Sequence, residues 1–416
     1  MNLIKNPASL PAKHGILSFH HGDPRSFRGR PAGFYEVLKD VDAVGVIVQE
    51  LSPKLDSGRV FAFGRYRLTR HSYRRTLEHV FAQGSALLRL AIMNCQSGES
   101  IELGEPGRVF RLPSNSVVMR FFTVLLWRKF QRLLFGLFFH RKWGVSWTSF
   151  PIDGELPEHM SLTDLRSVKK PVGVTFVADP FILGNETFVC EAMPKGGFRG
   201  VLMIHDGRNW SELDTSFLGQ SHHLSFPFVF EADDCTYILP EMAQHGHQSL
   251  WLMNEKNCVV RSHKLNGLAG HRLIDPVLMR SGHLWWLFAG LLGNESDHLY
   301  LWSSTSLEGN FEFHPKNPIV IDPSRARNAG GFIAVNGDLY RLGQNNCREY
   351  GDGISVCRVN VLGETSYSEE VVSSIKIKGF QGPHTLHTRG EIAIVDHYST
   401  SWDLLAWLPR LKKLWP

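Results

Sequence analysis

From about residue 143 to the end, the chain is punctuated at a nearly constant interval. Turn pairs fall at Gly184-Asn185, Asp233-Asp234, Ser281-Gly282, Asn336-Gly337 and Arg389-Gly390, separated by 49, 48, 55 and 53 residues. An apolar strand-like run precedes each pair, among them Asp179-Pro-Phe-Ile, Phe226-Pro-Phe-Val and Asp275-Pro-Val-Leu. A second run follows each pair, such as Tyr237-Ile-Leu or Leu284-Trp-Trp-Leu-Phe. A unit of this length can build a four-stranded antiparallel sheet but cannot bury both of its faces alone. Radial stacking of the units solves that problem. The repeat therefore predicts a mainly β chain: a five-bladed β-propeller over 143–416, preceded by a small α/β fragment over 1–70 and a helical linker region over 71–142.

In a propeller the first strand of each blade lines the central channel. Residues some fifty positions apart then meet in one funnel: Asp179, His223 with Ser225, Asp275, Arg327 with Asn328, and His384. Second strands add Glu191, Glu241, Gln344 and Asp396 near the mouth. The expectation is that Asp179, Asp275, Arg327 and His384 share one pocket. Such a set suits a polyhydroxylated ligand, and Arg327 would hold an anionic substituent bidentately. The competing reading is that Asp-Pro at a strand start serves only as a turn and cap.

Composition removes several classes. A balance of 45 Lys+Arg against 40 Asp+Glu is too mild and too evenly spread for a nucleic-acid partner. The six cysteines lack the close pairing of a zinc site, so no metal is expected, and they read as reduced, mostly buried thiols. The N-terminus has no signal-peptide core, which points to the cytoplasm.

Upstream of the repeat, Gly15–His20 reads as a strand, followed by a loop, a short helix near Gly33–Leu38, and strands at Val44–Leu51 and Arg59–Phe63. Residues 74–95 have helical periodicity. Residues 117–142 mix aromatics and leucines with Arg120, Arg128, Lys129 and Arg132, and their apolar runs are far short of a membrane span. Two readings stay open: a basic helix packed between domains, or a helix lying on an anionic membrane surface, which would place the protein peripherally at the inner face.

The strings SFHHGDPRSFRGRPAGFYEVL and GVIVQELSPKLDSG resemble the folate-dependent formyltransferases. The resemblance implies His20 as catalytic histidine and Asp56 as catalytic aspartate, with Ser18 where that family has Asn. A His held by an Asp can move the proton of the amine nucleophile while the formyl oxygen gains charge. Few residues precede Gly15, whereas those enzymes have a nucleotide-fold half there. The expectation is a remnant with no cofactor of its own, needing 10-formyltetrahydrofolate only if the missing half were restored. Its pocket should open on that side, exposing Ile16, Phe19 and Val46.

Residues 143–400 resemble the N-terminal domain of glucosamine inositolphosphorylceramide transferase. The residues that carry this are VADPF at 177–181, HLSFPFVFE at 223–231, ILPE at 238–241, IDPVL at 274–278, RARNAGG at 325–331, YRLGQ at 340–344, EYGDGI at 349–354 and GPHTL at 382–386. That domain is similar to the propellers of glycoside hydrolase family 43. The resemblance implies Asp179 in the place of the base and Asp275 in that of the positioning carboxylate. Arg327 and Asn328 stand where those hydrolases carry the acid, leaving Glu241 as the substitute. Three functions follow as expectations. The first is a propeller recognising a sugar or glycolipid headgroup, fused to the formyltransferase-like remnant, in surface glycan or glycolipid synthesis. The second is a sugar-amine N-formyltransferase lacking its first half, and the third is a glycoside hydrolase.

Overall fold

The two apolar runs around each turn pair as the first and second strands of an antiparallel sheet. This is seen in a computed structural model that describes residues 12, 15–52, 56–150, 156–219, 222–408 and 410. Sheet I comprises Val174–Gly184, Thr187–Pro194, Val201–His205 and Trp210–Glu212. Sheet II comprises Ser225–Ala232, Cys235–Glu241, Ser249–Met253 and Val259–Lys264. Sheet III runs through Leu273–Ser281, Leu284–Leu291, His298–Ser304 and Glu312–Phe313. Sheet IV holds Asn328–Val335, Asp338–Gln344, Ile354–Leu362 and Tyr367–Ile377, with His159–Leu162 added in parallel at its outer edge.

Sheet V differs from the simple repeat. Its strands Leu386–Arg389 and Ile392–Trp402 are joined by Phe139–Ser149 and Arg166–Val168 from before the first repeat. First strands of successive sheets touch, and that of sheet V touches that of sheet I, so the mainly β, propeller-like arrangement closes on itself. Closure removes the sheet stack's open ends. Between sheets lie fully buried Phe181, Phe226, Trp251, Phe288 and Trp302. All six cysteines are thiols, of which Cys190, Cys347 and Cys357 are buried.

These sheets form one compact unit, residues 141–320 and 324–401. The other contains the described residues up to His140, together with 321–323 and the segment from Trp402. In it, Leu17–His20, Ala43–Glu50 and Val60–Arg67 make an antiparallel sheet with the middle strand in the centre. Helix α1 is Phe34–Lys39, α2 Tyr73–Gln83, α3 Ser85–Ser97 and α4 Asn115–Phe138. The Ser72 hydroxyl caps α2 by accepting from the Arg75 N–H, satisfying one orphan donor of the first turn. Val37, Val44, Val46, Val80, Leu87 and Phe121 share the core. Val46 was expected at an open face; it is fully buried, because the helices cover that side of the sheet.

Candidate functional site

The first strand of sheets I to III breaks register at one equivalent place, where a residue with left-handed backbone precedes proline: Asp179 (φ 51°), Phe226 (φ 42°) and Asp275 (φ 46°). Non-glycine residues rarely adopt this conformation, and the position before proline disfavours helical backbone further. Such strain persists only where surrounding contacts hold it, and a bulge re-aims the side chain. Sheet IV meets the same need with Gly330 (φ 143°), whose Cβ, if it had one, would lie 2.0 Å from the Leu386 carbonyl oxygen.

Two linked polar clusters result. In one, Arg327 forks onto Asp275, Nε to Oδ2 at 2.5 Å and Nη2 to Oδ1 at 3.4 Å. Gln344 donates to Asp275 Oδ2 at 3.1 Å, and Asn328 donates to the Asp275 carbonyl oxygen at 2.8 Å. Glu241 accepts from the Asp275 backbone N–H at 3.3 Å. In the other, His384 lies between Asp396 (2.5 Å) and Asp179 (3.2 Å), while Thr385 donates its hydroxyl to Asp179 Oδ1 at 2.7 Å. Asp179, Glu191, Glu241, Asp275, His384 and Asp396 are all buried. Ser225 pairs across the strands with Glu241, and His223 Nε2 stands 3.8 Å from Glu191 Oε1. The Gly200 N–H donates to His223 Nδ1 at 2.8 Å.

Five carboxylates thus face two cations, and burial decides their states. It pushes the Glu241 and Glu191 carboxyls well above the usual range, Asp275 adding to the first and Asp179 and Glu241 to the second. Burial also lifts Asp179 to about 6, against the pull of His384. For His384, burial works against the charge, but Asp396 and Asp179 outweigh it and raise the imidazole to about 9. Two carboxylic acids, an imidazolium and a guanidinium therefore share the funnel at neutral pH.

Arg327 was expected to receive an anionic substituent. Its fork is instead taken by Asp275 and its face lies over the Tyr350 ring, 5.1 Å from the centroid. With Arg327 paired to Asp275, its pull on Glu241 is smaller than the combined push of burial and Asp275. Asp179, His384 and Asp396 offer ligand atoms within 4.8 Å of one another.

Residue-by-residue reading of the sequence missed Tyr350, Thr385 and Trp143. Trp143 and Tyr350 pack at a tilt against His384, with centroids 4.9 and 5.1 Å away. Gly351 makes this possible, since a Cβ there would lie 2.5 Å from His384 Cβ. The available signal was EYGDGI, part of a polar, Gly-rich connection of nine residues after the second strand of its unit, against six or seven in sheets I to III.

In the other unit, His20 Nδ1 stands 3.3 Å from Asp56 Oδ1, so the two residues do meet. Asp56 Oδ2 accepts the Gly29 N–H at 3.0 Å, and His20 Nε2 lies 2.9 Å from the Phe27 carbonyl oxygen. Both ring nitrogens are therefore engaged within the fragment. Ser18 donates to the neighbouring Phe19 carbonyl at 3.4 Å. Phe19 is 36% exposed, and a cavity of about 420 Å³ beside Asp56 is lined by Arg25, Gln49, Ser57, Arg59 and Glu102 among others. Residues 53–55 of the Leu-Asp-Ser-Gly approach lie outside the described residues.

Fold and site together define a mainly β, propeller-like protein with a buried cluster of acidic side chains. The chain belongs to the family described as "Glucosamine inositolphosphorylceramide transferase 1, N-terminal", whose sequence model matches residues 161–385. It is 28% identical over 207 residues to glucosamine inositolphosphorylceramide transferase 1 of Arabidopsis thaliana, covering 47% of this chain and 27% of the relative. It is 31% identical over 212 residues to the Oryza sativa subsp. japonica protein of the same name, covering 48% and 28%. The matched region thus spans little more than a quarter of these relatives' length. Among solved structures, the Podospora anserina α-L-arabinofuranosidase PaAbf62A superposes with a TM-score of 0.39 at 12% identity, covering 61% of this chain and 97% of that one. The Cellvibrio cellulosa α-L-arabinanase gives 0.35 at 13%, covering 48% and 80%.

Proposed function

We propose that the ring acts as a five-bladed propeller that recognises the sugar part of a glycolipid headgroup, in glycan or glycolipid synthesis. The observation that carries this is the charge balance of the site: three carboxylates, Asp179, Asp275 and Asp396, against Arg327 and His384, with the Glu191 and Glu241 carboxylic acids beside them as hydroxyl donors. Such a site takes hydroxyls and an ammonium, and it repels phosphate or uronate. The plant relatives are named for glucosamine, an amino sugar of this chemistry. A bound ammonium also favours ionisation of Glu191 and Glu241, so binding releases protons.

Titration calorimetry with glucosamine, glucose and glucuronate tests the reading. Glucosamine should bind best, and its affinity should fall about tenfold as pH drops through about 6, where Asp179 takes up its proton. Tighter binding of glucuronate would overturn it.

A second reading is favoured by one observation. The Glu241 carboxyl is held in its acid form and Asp179 supplies a base, which is the pairing that glycosidic cleavage or transfer requires. Arabinan, xylan and nitrophenyl glycosides decide this. Turnover by the parent that Glu241→Gln abolishes would put bond cleavage first.

The small fragment we regard as formyltransferase-like in its His20 and Asp56 geometry but without transfer chemistry. An engaged Nε2 leaves the imidazole no nitrogen for a substrate amine.

A further inference from the structure

Helix α4 is apolar on two separate faces. On one, Val117, Val118, Phe121 and Leu125 pack into the core of their unit, and Arg128 on that side reaches Asp40 (2.8 Å) and the Val37 carbonyl oxygen (2.8 Å). On the other, Met119, Phe122, Leu126, Phe130 and Leu133 recur every three or four residues and form one stripe, with Trp127 at its border. None of this second set is buried: Met119 and Leu126 are each 66% exposed and Phe130, the least, 47%. At 100° per residue, Lys129 falls along one margin of the stripe and Arg120 along the other. Both are exposed.

A second element extends the patch. The segment from Trp402 crosses the C-terminal end of α4. There the Asp403 N–H donates to the Phe138 carbonyl at 2.8 Å, and the Arg410 guanidinium donates to the carbonyls of Phe135, Gly136 and Phe139. It brings Trp402, Leu404 and Leu405, each more than half exposed, to that end of the helix. The charge pattern is one-sided. Between Glu105 and Asp153 there are eight Lys and Arg and no acidic residue. After Asp403 come Arg410, Lys412 and Lys413, again without an acidic residue.

We propose that this patch seats the protein on the surface of an anionic lipid bilayer. Helix α4 would lie in the headgroup plane, its stripe among the first acyl carbons and Arg120 and Lys129 among the phosphates. It lies on the membrane and does not cross it: among the described residues no helix is long and apolar enough to span. Charge complementarity selects lipid over a second copy of the chain, since two stripes face to face would bring the Arg120 and Lys129 margins together, with only Asp403 beyond the helix's C-terminal end as a carboxylate among the described patch residues. The inference is independent of the sugar reading, because no residue of the funnel takes part.

The test is co-sedimentation of the full chain with vesicles of phosphatidylcholine alone and of phosphatidylcholine mixed with phosphatidylglycerol. Binding is expected to the mixed vesicles only, weakening as salt is raised. Leu126→Ser with Phe130→Ser should abolish it while circular dichroism and thermal midpoint stay at the parent's values. Arg120→Gln and Lys129→Gln, which leave the stripe intact, should each weaken it about fivefold. Equal binding to uncharged vesicles, or full binding by the double serine variant, overturns the proposal. So does a concentration-dependent dimer that the serine variant loses, in a protein that ignores both vesicle types; that result would assign the stripe to a second copy.

Discussion

At the residue scale, the pairings of His384 dominate. Its imidazole is raised to about 9 by Asp396 and Asp179 acting against burial. Below the ordinary histidine value near 6.5, folded and unfolded chains both hold the imidazole proton; the pair with Asp396 is then present, while that with Asp179 is lost as its carboxyl protonates at about 6. Between that value and about 9 the folded chain holds the extra proton, so stability falls as pH rises, by about 3 kcal/mol in all. Urea unfolding at several pH values should show this alkaline slope. His384→Gln should lose most of it. A variant with the parent's slope would place the titration elsewhere.

At the scale of a single element, sheet IV holds a buried ion pair away from the funnel. Arg341 Nε and Nη2 donate to Glu369 at 2.8 and 2.7 Å, and Tyr367 donates its hydroxyl to the same carboxylate at 2.6 Å. Both partners have side chains no more than 2% exposed. Removing one leaves an uncompensated buried charge, so Glu369→Ala should lose about 3–5 kcal/mol in urea unfolding. Arg341→Met combined with Glu369→Leu should recover most of that, since it leaves neither charge behind. The three-stranded fragment of the other unit offers a binding prediction. With His20 closed between Asp56 and the Phe27 carbonyl, calorimetry with a formyl-folate analogue should show no heat of binding. Micromolar affinity would reopen the formyl-transfer reading.

At the scale of the whole molecule, the weak point of a closed ring is the seam where its first and last sheets meet. Val145 and Trp147, on the strand that sheet V takes from before the repeats, pack with Val177, Ile182 and Phe188 of sheet I and with Ile394. Val145 is 1% exposed. Val145→Asp would bury a lone carboxylate there. It should lower stability by at least about 3 kcal/mol, read as an earlier urea midpoint, whereas the same change at exposed Val361 should be nearly silent. Similar losses at both positions would mean that the seam does not carry the ring.

The sequence alone marked the period and, through it, polar residues that the structure brings together. Strand pairing is local: a turn with its flanking apolar runs fixes a hairpin, and equal spacing carries Asp179, Asp275 and His384 to equivalent places. Sequence also marked Glu241 as the carboxyl left to stand in for the acid that Arg327 and Asn328 displace. Only the tertiary structure decided which charges cancel. Arg327 lies 52 residues from Asp275, and nothing in either neighbourhood tells that its fork closes on that carboxylate rather than on a ligand. The same holds for the Tyr350 loop over His384, for the early strand that completes sheet V, and for Val46, buried by helices read only as a linker. Each depends on contacts between segments distant in sequence, where burial and long-range Coulomb terms outweigh any local pattern.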